Sequence, residues 1–206
     1  MRPAPGTALL AGAAAAGGAF MWLAFAVARR ETKPLDHSLR EKVPDAPDAD
    51  ASKAAEVIGP IGKDWLLVPL GVSVTGYMWQ RGAGARALIP AVAAVTAATG
   101  TWLFDEHLDI QRPPPGHPKR NEPSFPSGHA LRTTAVSLTT AYVLARESKV
   151  NPAPAFALAS VLSVLSPAGR VYLDRHWASD VIGGWLAGLT TAALCSAAYE
   201  SLRPRS

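Results

Sequence analysis

The chain has one cysteine, no run of closely spaced metal ligands and no block of like charge. The lone Cys195 excludes an internal disulfide framework and a multi-cysteine metal site. It lies in an apolar run, where a free cysteine behaves as a small buried hydrophobe. The five histidines show no zinc spacing, and no group of carboxylates and histidines offers a divalent-ion cage. The reading is therefore of chemistry without a metal or a cofactor. The net charge is only +4, and the basic residues sit between apolar blocks rather than in one patch. That spread speaks for membrane topology and against nucleic-acid binding. No internal repeat is visible.

What is present is a series of apolar blocks separated by polar loops, which dilute the mean hydropathy to +0.11. Six segments are read as crossing a bilayer: Thr7 to Ala28, Asp64 to Trp79, Ala85 to Phe104, Gly128 to Ala145, Pro152 to Ala168 and Val181 to Tyr199. The first has a cleaved signal peptide as its rival. Its length and the Arg29-Arg30 pair that follows favour a retained span. Residues 29–63 carry mixed charge with Pro34, Pro44 and Pro47, and read as a loop with some surface helix. The organisation expected is an N-terminal span plus polar linker over 1–63 and a membrane-embedded core over 64–206. Trp65, Trp79, Trp102 and Trp177 fall near span ends, as an aromatic belt places them. Gly183, Gly184 and Gly188 are small enough to let helices pack closely.

Three short segments, "RGAGAR" (81–86), "ARESK" (145–149) and "SLRPRS" (201–206), are basic, and six spans put all three on one side. The positive-inside rule makes that side cytoplasmic. The linker 29–63, the loop 105–127 and the connection 169–180 then lie outside. Two helix starts, near Ser127 and near Asp180, face the same way. Helix N-termini expose free N–H groups with a positive partial charge, so two of them meeting at one membrane face suit an anion such as phosphate. Arg112, His129, Arg170 and His176 lie around them in sequence.

These residues resemble the type 2 phosphatidic acid phosphatase superfamily, which also contains vanadium haloperoxidases. The family pattern is K-x6-R-P, P-S-G-H and S-R-x5-H-x3-D. Here Pro126-Ser127-Gly128-His129 is complete, and "GRVYLDRHWASD" keeps Arg170, His176 and Asp180 at the third motif's spacing, with Gly169 in place of Ser. The first motif keeps Arg112-Pro113 but has Asp105 where Lys is expected. The resemblance implies a membrane-embedded all-α bundle of about six transmembrane helices. It also implies a multi-pass cell-membrane protein with its site on the extracytoplasmic side.

Phosphate-ester cleavage needs a nucleophile, a proton for the leaving oxygen and donors for the phosphoryl oxygens. In the implied site His176 is the nucleophile and forms a phosphohistidine. Asp180 holds its other ring nitrogen. His129 is the general acid. Arg112 and Arg170 grip phosphoryl oxygens, with Ser127 and the Gly128 N–H completing the clamp. Asp105 is the departure, because a carboxylate there repels an anion. Arg132, three residues past His129 on the same helix face, is read as the replacement cation, paired with Asp105 or aimed at the phosphate. Lys119 is a second donor for that role. The other histidines, His37, His107 and His117, are assigned to solvated loops.

The expected function is metal-independent hydrolysis of a lipid phosphate or diphosphate, with the lipid bilayer and the lipid substrate as partners. The rivals are a lipid phosphotransferase on the same site, a vanadium haloperoxidase, which the short and mostly membrane-spanning chain disfavours, and a catalytically impaired lipid-phosphate binder. The sequence leaves the oligomeric state and the particular lipid open.

Overall fold

The structure, a computed structural model, describes residues 5–43, 48–107, 113, 123–147 and 149–204, with residues 104–107 described by backbone alone. It is an all-α bundle, with no β-strand among the described residues. In chain order the helices are α1 (Pro5–Ala28), α2 (Lys33–Arg40), α3 (Ala49–Ile58), α4 (Asp64–Gln80), α5 (Ile89–His107), α6 (Gly128–Arg146), α7 (Pro152–Tyr172) and α8 (Ala178–Ser201). A 3-10 turn, Gly59–Gly62, leads into α4, and another, Gly84–Leu88, leads into α5.

The chain forms an integral membrane bundle. The segments Pro5–Ala28, Gly84–Leu103, Pro152–Tyr172 and Ala178–Ser201 are each long and apolar enough to cross a bilayer. The Asp64–Gln80 helix qualifies only together with residues 49–62, from which it is bent by 45°. Large apolar side chains such as Trp22, Trp65, Trp79, Trp102, Leu158 and Leu194 point outward, as a lipid-facing surface requires.

α6 covers the expected fourth span but is not among those apolar segments. Its position explains why. It packs against α5, α7 and α8, and no residue from Gly128 to Ala145 is exposed. A helix largely sheathed by other helices can bury polar side chains such as Thr133, Thr134 and Thr139 along it. Thr133 turns its hydroxyl back to the His129 carbonyl at 2.6 Å.

Close approach of α8 to α6 depends on glycine, as the small residues of α8 predict. A Cβ at Gly184 would meet the Ser127 carbonyl oxygen at 2.5 Å, and one at Gly188 would meet that of Leu131 at 2.8 Å. α1 runs along the other side of α8 and stacks Phe20 on the buried Phe125 at 6.0 Å between ring centroids. In α7, Pro167 has no N–H and leaves the Ser163 carbonyl without its helical donor. The indole Nε1 of Trp185 on α8 fills that place at 2.7 Å.

The basic segments gather at one end of the bundle. Arg86 donates to Glu147 Oε1 at 2.7 Å, and the Tyr199 hydroxyl donates to the same oxygen at 2.7 Å. Beside them Arg146 pairs with Glu200 through two bonds of 2.7 and 3.1 Å, and Tyr142 joins at 2.9 Å.

The 29–63 segment is more ordered than a loop. Asp48 caps α3 by accepting from the Ala51 N–H at 2.9 Å. α3 and the Gly59–Gly62 turn both pack on α7. Mixed charge and scattered prolines concealed short helices whose stability comes from docking rather than from propensity.

Candidate active site

The second and third motifs meet at the bundle end opposite the basic cluster. Ser127 opens α6 in extended conformation. Its backbone N–H donates to the Asp180 carbonyl at 2.8 Å, so the turn before α6 is tied to the start of α8. The Ser127 side chain does not cap its own helix. Its buried hydroxyl has no hydrogen-bond partner among the described residues. A buried hydroxyl costs free energy unless something accepts from it or donates to it, and an oxyanion in the site meets that need.

Asp180 is fully buried and serves two ends at once. Its Oδ2 accepts from the Trp177 N–H at 2.8 Å, capping α8, and lies 3.3 Å from His176 Nδ1. Capping and imidazole orientation are thus one arrangement here. With Nδ1 turned to the carboxylate, Nε2 is the ring nitrogen on the far side from Asp180. The second carboxylate oxygen, Oδ1, is buried without a partner among the described residues.

Arg170 is buried near the C-terminal end of α7, and its Nη2 lies 2.8 Å from His129 Nε2. A guanidinium only donates, so in this bond Nε2 carries the lone pair and the neutral ring keeps its proton on Nδ1. His176, Arg132 and Lys63 also lie within electrostatic reach of the His129 ring. The structure therefore brings Ser127, Gly128, His129, Arg170, His176 and Asp180 to one end of the bundle.

Arg132 does not face lipid. Its Nε contacts Asp64 Oδ1 at 3.0 Å and the Gly62 carbonyl at 3.1 Å, and its Nη1 reaches Thr101 Oγ1 at 3.4 Å. It thus ties the beginning of α4 to α6 beside the site. The expected pairing with Asp105 lies outside the described residues, since that side chain is not described, and so do Arg112 and Lys119. Pro113, the neighbour of Arg112, is buried and lines a small cleft with His176, Asp36 and Trp177.

Sequence reasoning missed the near wall of the site. The Gly59–Gly62 turn lies flat on the His129–Arg170 pair: a Cβ at Gly62 would meet His129 Cδ2 at 2.5 Å, and one at Gly59 would meet Arg170 Nη2 at 2.7 Å. Gly169, where the third motif has Ser, faces Ala55 of α3, and a Cβ there would come to 3.2 Å. Ser166, one turn before Arg170, is buried with no partner for its hydroxyl among the described residues. Its four-residue spacing from Arg170 was the available signal. One other expectation changes in part: His37 is exposed, but it sits on helix α2 instead of a loop and packs on Trp177 with ring centroids 5.1 Å apart.

Comparison with known proteins bears on the fold and the family. The structure aligns with a crystal structure described as the first transmembrane PAP2 type phosphatidylglycerolphosphate phosphatase from Bacillus subtilis. The TM-score is 0.81 over 93% of this chain and 98% of that one, and at 23% identity the likeness is one of fold. In sequence the chain is similar to phosphatidylglycerophosphatase B of Bacillus subtilis (34% identical over 84 residues, 39% of this chain and 41% of that protein). It is also similar to undecaprenyl-diphosphatase of Sulfolobus acidocaldarius (36% identical over 87 residues, 42% of this chain and 38% of that protein). The chain thus matches about two fifths of the length of these curated relatives. The PAP2 superfamily model matches residues 90–204, which is more than half of the chain and includes all three motif regions, and the chain belongs to that superfamily.

Proposed function

We propose that the protein is a membrane phosphatase that hydrolyses a lipid phosphate or diphosphate through a phosphohistidine at His176. The observation that carries this reading is the His176–Asp180 pair set beside the His129–Arg170 pair, with the buried Ser127 hydroxyl unpartnered among the described residues. His176 Nε2 attacks phosphorus as the bond from phosphorus to the leaving oxygen breaks, and His129 gives that oxygen a proton. Water then attacks the phosphohistidine, His129 takes a proton from it, and the P–N bond breaks to release phosphate. Asp180 stabilises the charged ring of His176 in between.

Arg170 connects binding to chemistry. Phosphoryl oxygens compete for its guanidinium, and as it turns to them His129 Nε2 is released to carry the proton it must donate. Arg112 and Ser127 supply further donors, and Arg132 and Lys63 add positive charge near the leaving group. The guanidinium groups carry the charge stabilisation, and the reaction is read as metal-independent.

Support for a lipid substrate comes from a groove of about 410 Å³ between α4, α6 and α7 whose lining is mostly apolar and includes Leu70, Leu144 and Leu158. Thr140 and Ala159 in its wall lie roughly three turns, about 16 Å, along α6 and α7 from His129 and Arg170. A headgroup at the site and a hydrocarbon chain along the bundle fit that layout. One relative is named for a phosphatidylglycerophosphate and the other for a diphosphate, so both substrate classes belong in the test. The positive-inside rule puts the site on the extracytoplasmic side, because the basic cluster lies at the other end.

The test is phosphate release by the purified full chain in detergent from a panel of lipid phosphates and diphosphates. Release by the wild type, lost in His176→Ala, supports the reading. No release from any of them replaces it with a lipid-phosphate-binding protein, and product that depends on an added acceptor alcohol replaces it with a phosphotransferase.

A further inference from the structure

We propose that Asp36, on α2 in the segment that reads as a linker, is a positioning residue that fixes the start of α8 and with it the His176–Asp180 pair. The inference rests on His176 being the nucleophile. Asp36 is the one buried residue of α2, only 6% exposed, although the helix is otherwise polar and largely exposed. A carboxylate is not buried for hydrophobicity; it must be used. Both of its oxygens are: Oδ1 accepts from the Ser179 N–H at 2.9 Å, and Oδ2 from the Ser179 hydroxyl at 2.7 Å.

Ser179 stands in the first turn of α8, where backbone N–H groups have no partner within the helix. Asp180 takes the Trp177 amide from inside that turn, and Asp36 takes the Ser179 amide from a different element 143 residues away. The helix start is therefore capped from two sides. α2 is also pinned on each flank of Asp36. His37 packs on Trp177, and Arg40 pairs with both oxygens of Asp174 at 2.8 and 2.6 Å. Asp174 has φ 55°, in the left-handed region that costs most non-glycine residues. Asp174 and Trp177 lie in the short connection that carries His176, and Ser179 lies in the helical turn directly after it. Asp36 and Arg40 line the small cleft with His176, and the hydrogen bonds of the Asp36 carboxylate among the described residues go to Ser179.

The experiment uses the purified full chain in detergent with phosphatidic acid in mixed micelles as the probe. It compares Asp36→Ala, Asp36→Asn and Ser179→Ala. We expect Asp36→Ala to lower kcat at least tenfold with KM within about twofold. Asp36→Asn, which keeps an acceptor for the Ser179 amide, should lose less, and Ser179→Ala, which gives up one bond, least. Amide hydrogen exchange should quicken over residues 174–181 in Asp36→Ala and stay unchanged along α5 and α6. A role in stability alone would lower the thermal midpoint without this kcat order. Wild-type kcat in a folded Asp36→Ala overturns the proposal. Should that variant not fold, wild-type kcat in both Asp36→Asn and Ser179→Ala overturns it. A wild-type chain that releases no phosphate from phosphatidic acid or from any lipid of the panel refutes the phosphatase reading by itself. Exchange then still decides the contact: faster exchange over 174–181 supports the cap, and unchanged exchange overturns it.

Discussion

Arg170 Nη2 lies 2.8 Å from His129 Nε2, so the cation proposed to grip phosphate also holds the ring nitrogen proposed to give up a proton. The two roles are exclusive in time. Replacing Arg170 with Lys keeps a charge but loses the fork of donors. The Arg170→Lys variant should lose roughly 10- to 100-fold in kcat/KM, in line with about 1.5–3 kcal/mol for a hydrogen bond to a charged group. Steady-state kinetics against the best substrate of the panel measures this.

His129→Ala should fall on the order of 10²–10⁴-fold with a lipid alcohol as leaving group. With a p-nitrophenyl phosphate the loss should shrink sharply, because that leaving group needs no proton. Equal losses on the two substrates would assign His129 to binding or to the water step instead of leaving-group protonation.

Gly62 and Gly188 separate activity from stability. A methyl group at Gly62 must displace the His129 ring, so Gly62→Ala should lose activity at least tenfold while the thermal midpoint moves little. A methyl group at Gly188 meets Thr134 Cβ at 2.7 Å and the Leu131 carbonyl at 2.8 Å, away from the chemistry. Gly188→Ala should cost about 1–3 kcal/mol of stability from overpacking, with kcat of the folded fraction close to wild type. Thermal unfolding in detergent alongside kinetics checks both.

Acid should loosen the basic end of the bundle. The Arg86 hydrogen bond, opposed by burial and helped by Tyr199, holds the Glu147 carboxyl below the usual carboxylate range. A depressed folded pKa contributes stability that is present above the unfolded value, about 4.3, and is lost as pH falls through the folded one. The wild type should therefore lose thermal stability below about pH 4 more steeply than Glu147→Gln, which has no carboxyl to protonate there. Parallel pH–stability curves for the two would remove Glu147 from this account.

Much of this arrangement was legible because its signals are local. Pro126 to His129 and the Arg170–His176–Asp180 spacing are short patterns, and the six expected segments fall on long helices, four of which are apolar enough to cross a bilayer on their own. What sequence could not supply is tertiary. Asp36 looks like any charge on a polar linker, since its partner Ser179 is remote in the chain. Gly59 and Gly62 look like turn residues, and only the Arg170 and His129 side chains beneath them reveal a wall. Arg132 read as a replacement cation paired with Asp105 or aimed at phosphate, and its contacts with Asp64 and the Gly62 carbonyl had no signal in the sequence.

The polar interior of α6 bears on how the chain is made. A nascent segment carrying Thr133, Thr134, Ser137, Thr139 and Thr140 gains little from entering hydrocarbon alone, and its neighbours α7 and α8 are synthesised after it. Its insertion has to be a shared event, completed when the last helix of the chain closes around it. Settling of α6 in the membrane and assembly of the histidine pair thus fall in the same step.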